Sequence, residues 1–153
     1  MSYSNNDLSR FLDAQNKLYL TALSEISKGK KETHWMWFIF PQIKGLGTSD
    51  TANLYAIADL KEATEFLEHP ILGKHLIEIS ELFLTFKRKS ADGILGDLDA
   101  RKLRSSMTLF SLVENTNPVF QAILDAFFSG ESDPLTISII NSTIKSAIEP
   151  ATV

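Results

Sequence analysis

Two stretches of this chain have the residue types and spacing to do chemistry. The first, Thr33–Gly47, reads THWMWFIFPQIKGLG and packs both tryptophans, two phenylalanines and a histidine into His34–Phe40 before stopping at Pro41-Gln42. Flat aromatic faces beside the Gln42 amide suit stacking and edge recognition of a base or nicotinamide ring. The second, Asp97–Phe110, reads DLDARKLRSSMTLF. Helical spacing lays Asp99, Leu103, Ser106 and Phe110 on one face, with Lys102 at its edge. Asp99 suits a general base or an acceptor for a ribose hydroxyl, and Arg101, Lys102 and Arg104 suit phosphate.

Each of these residues also has a plainer structural role. His34 beside an apolar run fits a satisfied boundary residue. Trp35 and Trp37 cannot share one helical face, so one fits the core while the other, with Tyr55, lines a groove. Asp99 suits the first turn of a helix, where the dipole favours an anion, or a pair with Lys102. Gln15 interrupts an apolar stripe between Leu12 and Leu18. A buried amide left unbonded costs roughly 1–3 kcal/mol, so Gln15 either holds a neighbouring backbone or faces a ligand.

The elements that must position these groups are helical. From Asp7 to Lys28, Leu8, Phe11, Leu12, Leu18, Tyr19, Ala22, Leu23 and Ile26 form one stripe, and Gly29 is placed to end it. Ser4 and Asp7 have the spacing of a capping box with Asp in place of Glu. Asp59 with Glu62 starts a helix over 60–68, and His69-Pro70 then punctuates the chain. A second long stripe runs from Leu72 through Leu76, Ile79 and Phe83 to Phe86, closing on Lys87–Ser90. Gly93 and Gly96 bracket a short turn. Helices follow over Asp97–Val113, after Asn117-Pro118, and after Asp133-Pro134 as far as Ile148, with Glu149–Val153 as a loose end. His69 and His75 read as structural. No two strands join through a hairpin, so Trp35–Phe40 is either a short helix or an extended plug.

Composition narrows the function. A chain of 153 residues with 44% hydrophobic and 22% charged residues suits one domain, 1–153, with a core over about 7–140. The net charge of −4 argues against a basic face for DNA or RNA. The absence of cysteine removes disulfides, thiol nucleophiles and Cys-bound zinc, and fits a cytoplasmic location. The polar start MSYSNNDLSRF is unlike a signal peptide, and no apolar run reaches membrane length. The three histidines lack metal-ligand spacing, so neither a metal nor a cofactor is expected. Gly45-Leu46-Gly47 lacks the preceding strand and third glycine of a phosphate loop. Ser105-Ser106 lacks the setting of a hydrolase nucleophile.

The segments FLDAQ, GKKETHWMWFIFPQIKGLG, YAI, EFLEHPILGKHL and KLRSSMTLF follow one another from Phe11 to Phe110, within a likeness that extends over about residues 7–140. In that order they resemble domain-of-unknown-function family 1810, small all-helical bacterial proteins. The resemblance implies an all-α fold and no assigned activity. Some members carry a calpastatin label, which this apolar-periodic chain does not fit, since such inhibitors are polar and disordered. FLDAQNK and EFLEHPILGKHL are also similar to segments of the NADAR/YbiA-like proteins, which act on N-glycosidic bonds of ADP-ribose or riboflavin-pathway compounds. Their Trp-Gly segment has no counterpart here.

The expectation is an all-α domain binding a nucleotide- or ADP-ribose-like small molecule and hydrolysing an N-glycosidic bond. Its site draws on Gln15, Lys31, His34, Trp35, Gln42, Tyr55, Asp99, Lys102 and Ser106. His34 or Asp99 handles a proton, the aromatics stack a ring, and Lys31 or Lys102 meets phosphate. The alternative is a non-enzymatic module whose stretch 34–42 anchors a partner or a homodimer, which requires an exposed Trp35 or Trp37. Nucleic-acid binding through Lys28, Lys30 and Lys31 is opposed by the acidic balance.

Overall fold

Gly29 ends the first helix as the sequence predicts, and the way it does so sets up the rest of the molecule. The computed structural model describes residues 7–148, with side chains as far as Lys145. Ser4 of the predicted capping box and the expected loose end at 149–153 lie outside them. Helix α1 spans Ser9–Ser27, and Asp7 caps its start by accepting the Ser9 N–H at 2.8 Å. Phe11, Tyr19, Ala22 and Ile26 of the predicted stripe are buried. At its end the Gly29 N–H bonds Ile26 O and the Lys30 N–H bonds Glu25 O. With φ +74 at Gly29 this is a Schellman closure, which turns the chain sharply into Lys30–Trp35.

The aromatic stretch resolves into a single helical turn, α2 (Met36–Ile39). Trp35, Met36, Phe38, Ile39 and Phe40 are buried around it, and Trp37 is only partly buried. Among the described residues there is no strand, only an isolated parallel bridge between Ile43 and Ile57. The bridge closes a loop that contains α3 (Asp50–Leu54).

A buried charge clamps this loop. Arg10 donates to Leu54 O at 2.7 Å, to Ala56 O at 2.8 Å and to Asp7 O, and pairs with Glu62 at 3.1 Å. Glu62 in turn accepts the Ala58 N–H at 2.9 Å. It lies in α4 (Leu60–Glu68), where Asp59 accepts the Glu62 N–H as the predicted cap. His69 is structural as expected, its Nδ1 accepting the first N–H groups of the next helix from Ile71 and Leu72.

Helix α5 covers Leu72–Leu84. The segment read as a turn between Gly93 and Gly96 is instead a short helix, α6 (Ala91–Leu95), because Ser90 caps it by accepting the Gly93 N–H at 2.9 Å. Helix α7 covers Asp97–Ser111, two residues shorter than predicted. Helices α8 (Val119–Phe128) and α9 (Pro134–Ile148) follow their predicted caps at Asn117 and Asp133.

Helix α8 lies between α5 and α7, α1 packs on α5, α4 bridges α5 and α7, and α9 covers α7. A run of contacting rings, Phe11–Phe66–Phe110–Phe120, threads α1, α4, α7 and α8 at centroid spacings of 5.1, 5.5 and 5.8 Å. Offset and edge-to-face rings add to the apolar burial itself. The all-α expectation holds. No helix among the described residues is long and apolar enough to cross a membrane. For the site, the decisive placement is α2, which touches both α1 and α7.

Candidate functional site

The loop after α1 is fixed by one carboxylate. Glu25 accepts the Glu32 N–H at 2.7 Å, the Thr33 N–H at 2.9 Å, the Thr33 hydroxyl at 2.6 Å and the Trp35 indole N–H at 2.9 Å. Burial opposes its charge, but these bonds outweigh that and hold the carboxyl down at about 2. The Lys31 N–H bonds Ile94 O at 2.8 Å, which ties the same loop to α6. Held at both ends, the loop aims the Lys31 side chain at the start of α7.

There Lys31 Nζ meets Asp99 Oδ2 at 2.8 Å, and Lys102 Nζ meets Asp99 Oδ1 at 3.3 Å. Each ammonium also lies over a tryptophan, Lys31 at 5.1 Å from the Trp35 ring and Lys102 at 4.7 Å from Trp37. One carboxylate between two cations leaves a net positive charge. Lys31 is only 7% exposed, and Asp99 takes one of its three N–H donors.

These groups line a cleft of about 460 Å³ with His34, Trp37, Gly96, Leu98 and a second carboxylate, Asp97, which pairs with Arg101 at 3.1 Å. Gly96 is the N-cap of α7 and has no side chain to cap it. Its φ of +87 with ψ 159 is a conformation only glycine adopts readily, and a Cβ there would meet nothing within 4 Å. The opening N–H groups of α7 therefore carry their partial positive charge beside the two lysines.

A second cleft of about 560 Å³ shares Trp37, Leu98 and Lys102 with the first. It adds Gln42, Arg101, Ser105, Asp133 and Leu135. Leu98 and Leu135 are 70% and 64% exposed, so apolar side chains stand on its rim. Tyr55 meets Trp37 and Gln42 only at a crevice of about 20 Å³, and its ring packs against Phe11 and Phe38.

Of the residues singled out from sequence, Lys31, His34, Asp99 and Lys102 meet in the first cleft, and Gln42 lies in the second. Trp35 is fully buried behind Lys31, and its neighbour Trp37 forms the wall. Ser106 is buried with no partner for its hydroxyl, and the adjacent Ser105 faces the second cleft. Gln15 is buried and lines neither cleft. Its Nε2 donates to Phe38 O at 2.8 Å, and its Oε1 lies 2.8 Å from His75 Nδ1, which makes that nitrogen the donor. The His75 ring stacks on Tyr19 at 3.6 Å, and the Tyr19 hydroxyl donates to Glu78. Burial, and then the bond to Glu78, raises the Tyr19 phenol well above its ordinary value. Both ends of the Gln15 amide are thus committed to the structural role.

Glu25, Leu98, Ser105 and Asp133 escaped the sequence reading as site residues. Glu25 carried a signal, since Leu18, Ala22 and Glu25 share a face at i, i+4 and i+7 and a carboxylate there demands partners. Leu98 and Ser105 carried none.

No curated protein matches the chain. It is similar to the crystal structure of Rv1873, a conserved hypothetical protein from Mycobacterium tuberculosis. The TM-score is 0.87 and the identity 39%, over 90% of this chain and 99% of that one. The family model described as protein of unknown function (DUF1810) matches residues 5–140. With the helical architecture and the order of its motifs, this chain belongs to that family of proteins of unknown function, DUF1810.

Proposed function

We propose that the cleft at the start of α7 binds a small anionic molecule of the nucleotide or ADP-ribose class. The observation that carries this reading is the nearly buried Lys31 ammonium. It has donors beyond its bond to Asp99 and stands with Lys102 beside an uncapped helix N-terminus. Buried donors require acceptors, and a phosphate oxygen satisfies both the lysines and the free backbone N–H groups. Trp37 supplies a flat wall for a ring. Asp99 has both oxygens engaged by lysines, so it orients the cations. Hydrolysis of an N-glycosidic bond in this cleft then falls to His34 as the group that activates water. Trp35 is buried and Trp37 faces a concavity, which favours a ligand over an aromatic docking patch.

Titration calorimetry with ADP, ADP-ribose and inorganic pyrophosphate tests the binding. The native protein is expected to bind them with an affinity that falls as salt rises, and Lys31→Met to weaken all three at least about tenfold. Equal binding by native protein and Lys31→Met, or no heat with any of the three, overturns the reading.

A further inference from the structure

The two clefts differ in what their polar groups ask of a ligand. The first presents the ammonium groups of Lys31 and Lys102 and the free N–H groups of α7, with the Asp97 carboxylate in its lining engaged by Arg101 at 3.1 Å. The second sets one carboxylate, Asp133, beside two cations, Arg101 and Lys102. Asp133 receives the Ser105 hydroxyl at 3.1 Å, the Thr136 N–H at 3.1 Å and the Thr136 hydroxyl at 2.6 Å, and all three bonds fall on Oδ2. Its Oδ1 has no protein partner among the described residues. Trp37, Leu98 and Lys102 form the boundary between the two and belong to both.

Resting on the reading above, we propose that one ligand spans both clefts. Its anionic end sits at Lys31, its ring lies against Trp37 and Leu98, and a donor at its far end bonds Asp133 Oδ1. A carboxylate oxygen with open lone pairs in an apolar-rimmed cleft selects O–H or N–H groups. The ligand class is therefore a nucleoside phosphate. Its donor is either a ribose hydroxyl or an exocyclic base amine. A bare inorganic anion fills only the first cleft.

The test compares ADP, 2′-deoxy-ADP, IDP and inorganic pyrophosphate by titration calorimetry on the native protein, Asp133→Asn and Lys31→Met. Asparagine caps helices as well as aspartate, so Asp133→Asn keeps the start of α9, and an unchanged thermal midpoint verifies it. The expected result is that Asp133→Asn weakens ADP about tenfold or more and leaves pyrophosphate unchanged, whereas Lys31→Met weakens both. A matching loss with 2′-deoxy-ADP assigns the donor to the ribose, and one with IDP assigns it to the base amine. Two results overturn the two-cleft ligand while leaving the anion site standing: ADP binding no tighter than pyrophosphate, or ADP binding untouched by Asp133→Asn. Failure of pyrophosphate and ADP alike to bind overturns the anion site itself.

Discussion

Among the described residues, two ion-pair centres are built to opposite ends. At Arg10–Glu62 both partners are 2% exposed or less, and the protein itself supplies the further partners: three carbonyls for the guanidinium and the Ala58 N–H for the carboxylate. At Lys31–Asp99–Lys102 the charges do not cancel, the exposure rises to 29% at Lys102, and donors remain toward a cleft. The first centre is closed and holds the chain. The second is open toward a cleft. The choice of side chain follows the same division, since the planar guanidinium can satisfy several fixed carbonyls at once while an ammonium is a compact charge that a mobile anion can share.

The sharpest break of this contrast is at the closed centre. Arg10→Ala leaves Glu62 charged and buried, with an expected cost of about 3–5 kcal/mol in urea denaturation. A loss below about 1 kcal/mol would mean that the loop over 48–58 does not depend on the clamp.

Glu25, which fixes the loop carrying Lys31, comes next. Its folded value of about 2 lies below the ordinary 4.5. The depressed value means that its contribution is complete above about pH 4.5 and is lost as the pH falls from there toward 2. Glu25→Gln is expected to cost about 2 kcal/mol at pH 7. The variant's unfolding midpoint should then fall less than the native protein's between pH 5 and pH 3, and parallel acid limbs would remove Glu25 as the cause.

The smallest effect belongs to the open centre. Lys31→Met keeps an apolar chain over Trp35 and leaves Asp99 paired with Lys102, so its stability is expected within about 1 kcal/mol of native by the same urea assay. A larger loss would make Lys31 a structural residue like Arg10.

How much of this was legible depended on whether the cause is local. Gly29, Asp59 and the Asp133-Pro134 start each act within a few residues of themselves, and each does what its spacing predicts. The turn predicted at Gly93 failed because the Ser90 hydroxyl competes for the Gly93 N–H and winds a helix there. On α7 the face of Leu103, Ser106 and Phe110 is buried as its spacing predicts, and the neighbouring Ser105 reaches the second cleft. Helical spacing fixes which residues share a face, but neighbouring packing decides which face is wet. The pairing of Lys31 with Asp99, and the capture of Gln15 by Phe38 and His75, arise from tertiary proximity, and spacing carries no trace of it.

The wedge formed by α2 has a kinetic consequence. Because this single turn touches both α1 and α7, the cleft exists only once an early and a late part of the chain have docked across it. Contacts so far apart in sequence close loops whose entropy must be met before they give anything back. The cleft therefore assembles late, after the local helices have formed. A ligand filling it would bind the finished fold alone, and would stabilise the protein by an amount that grows with the logarithm of its concentration.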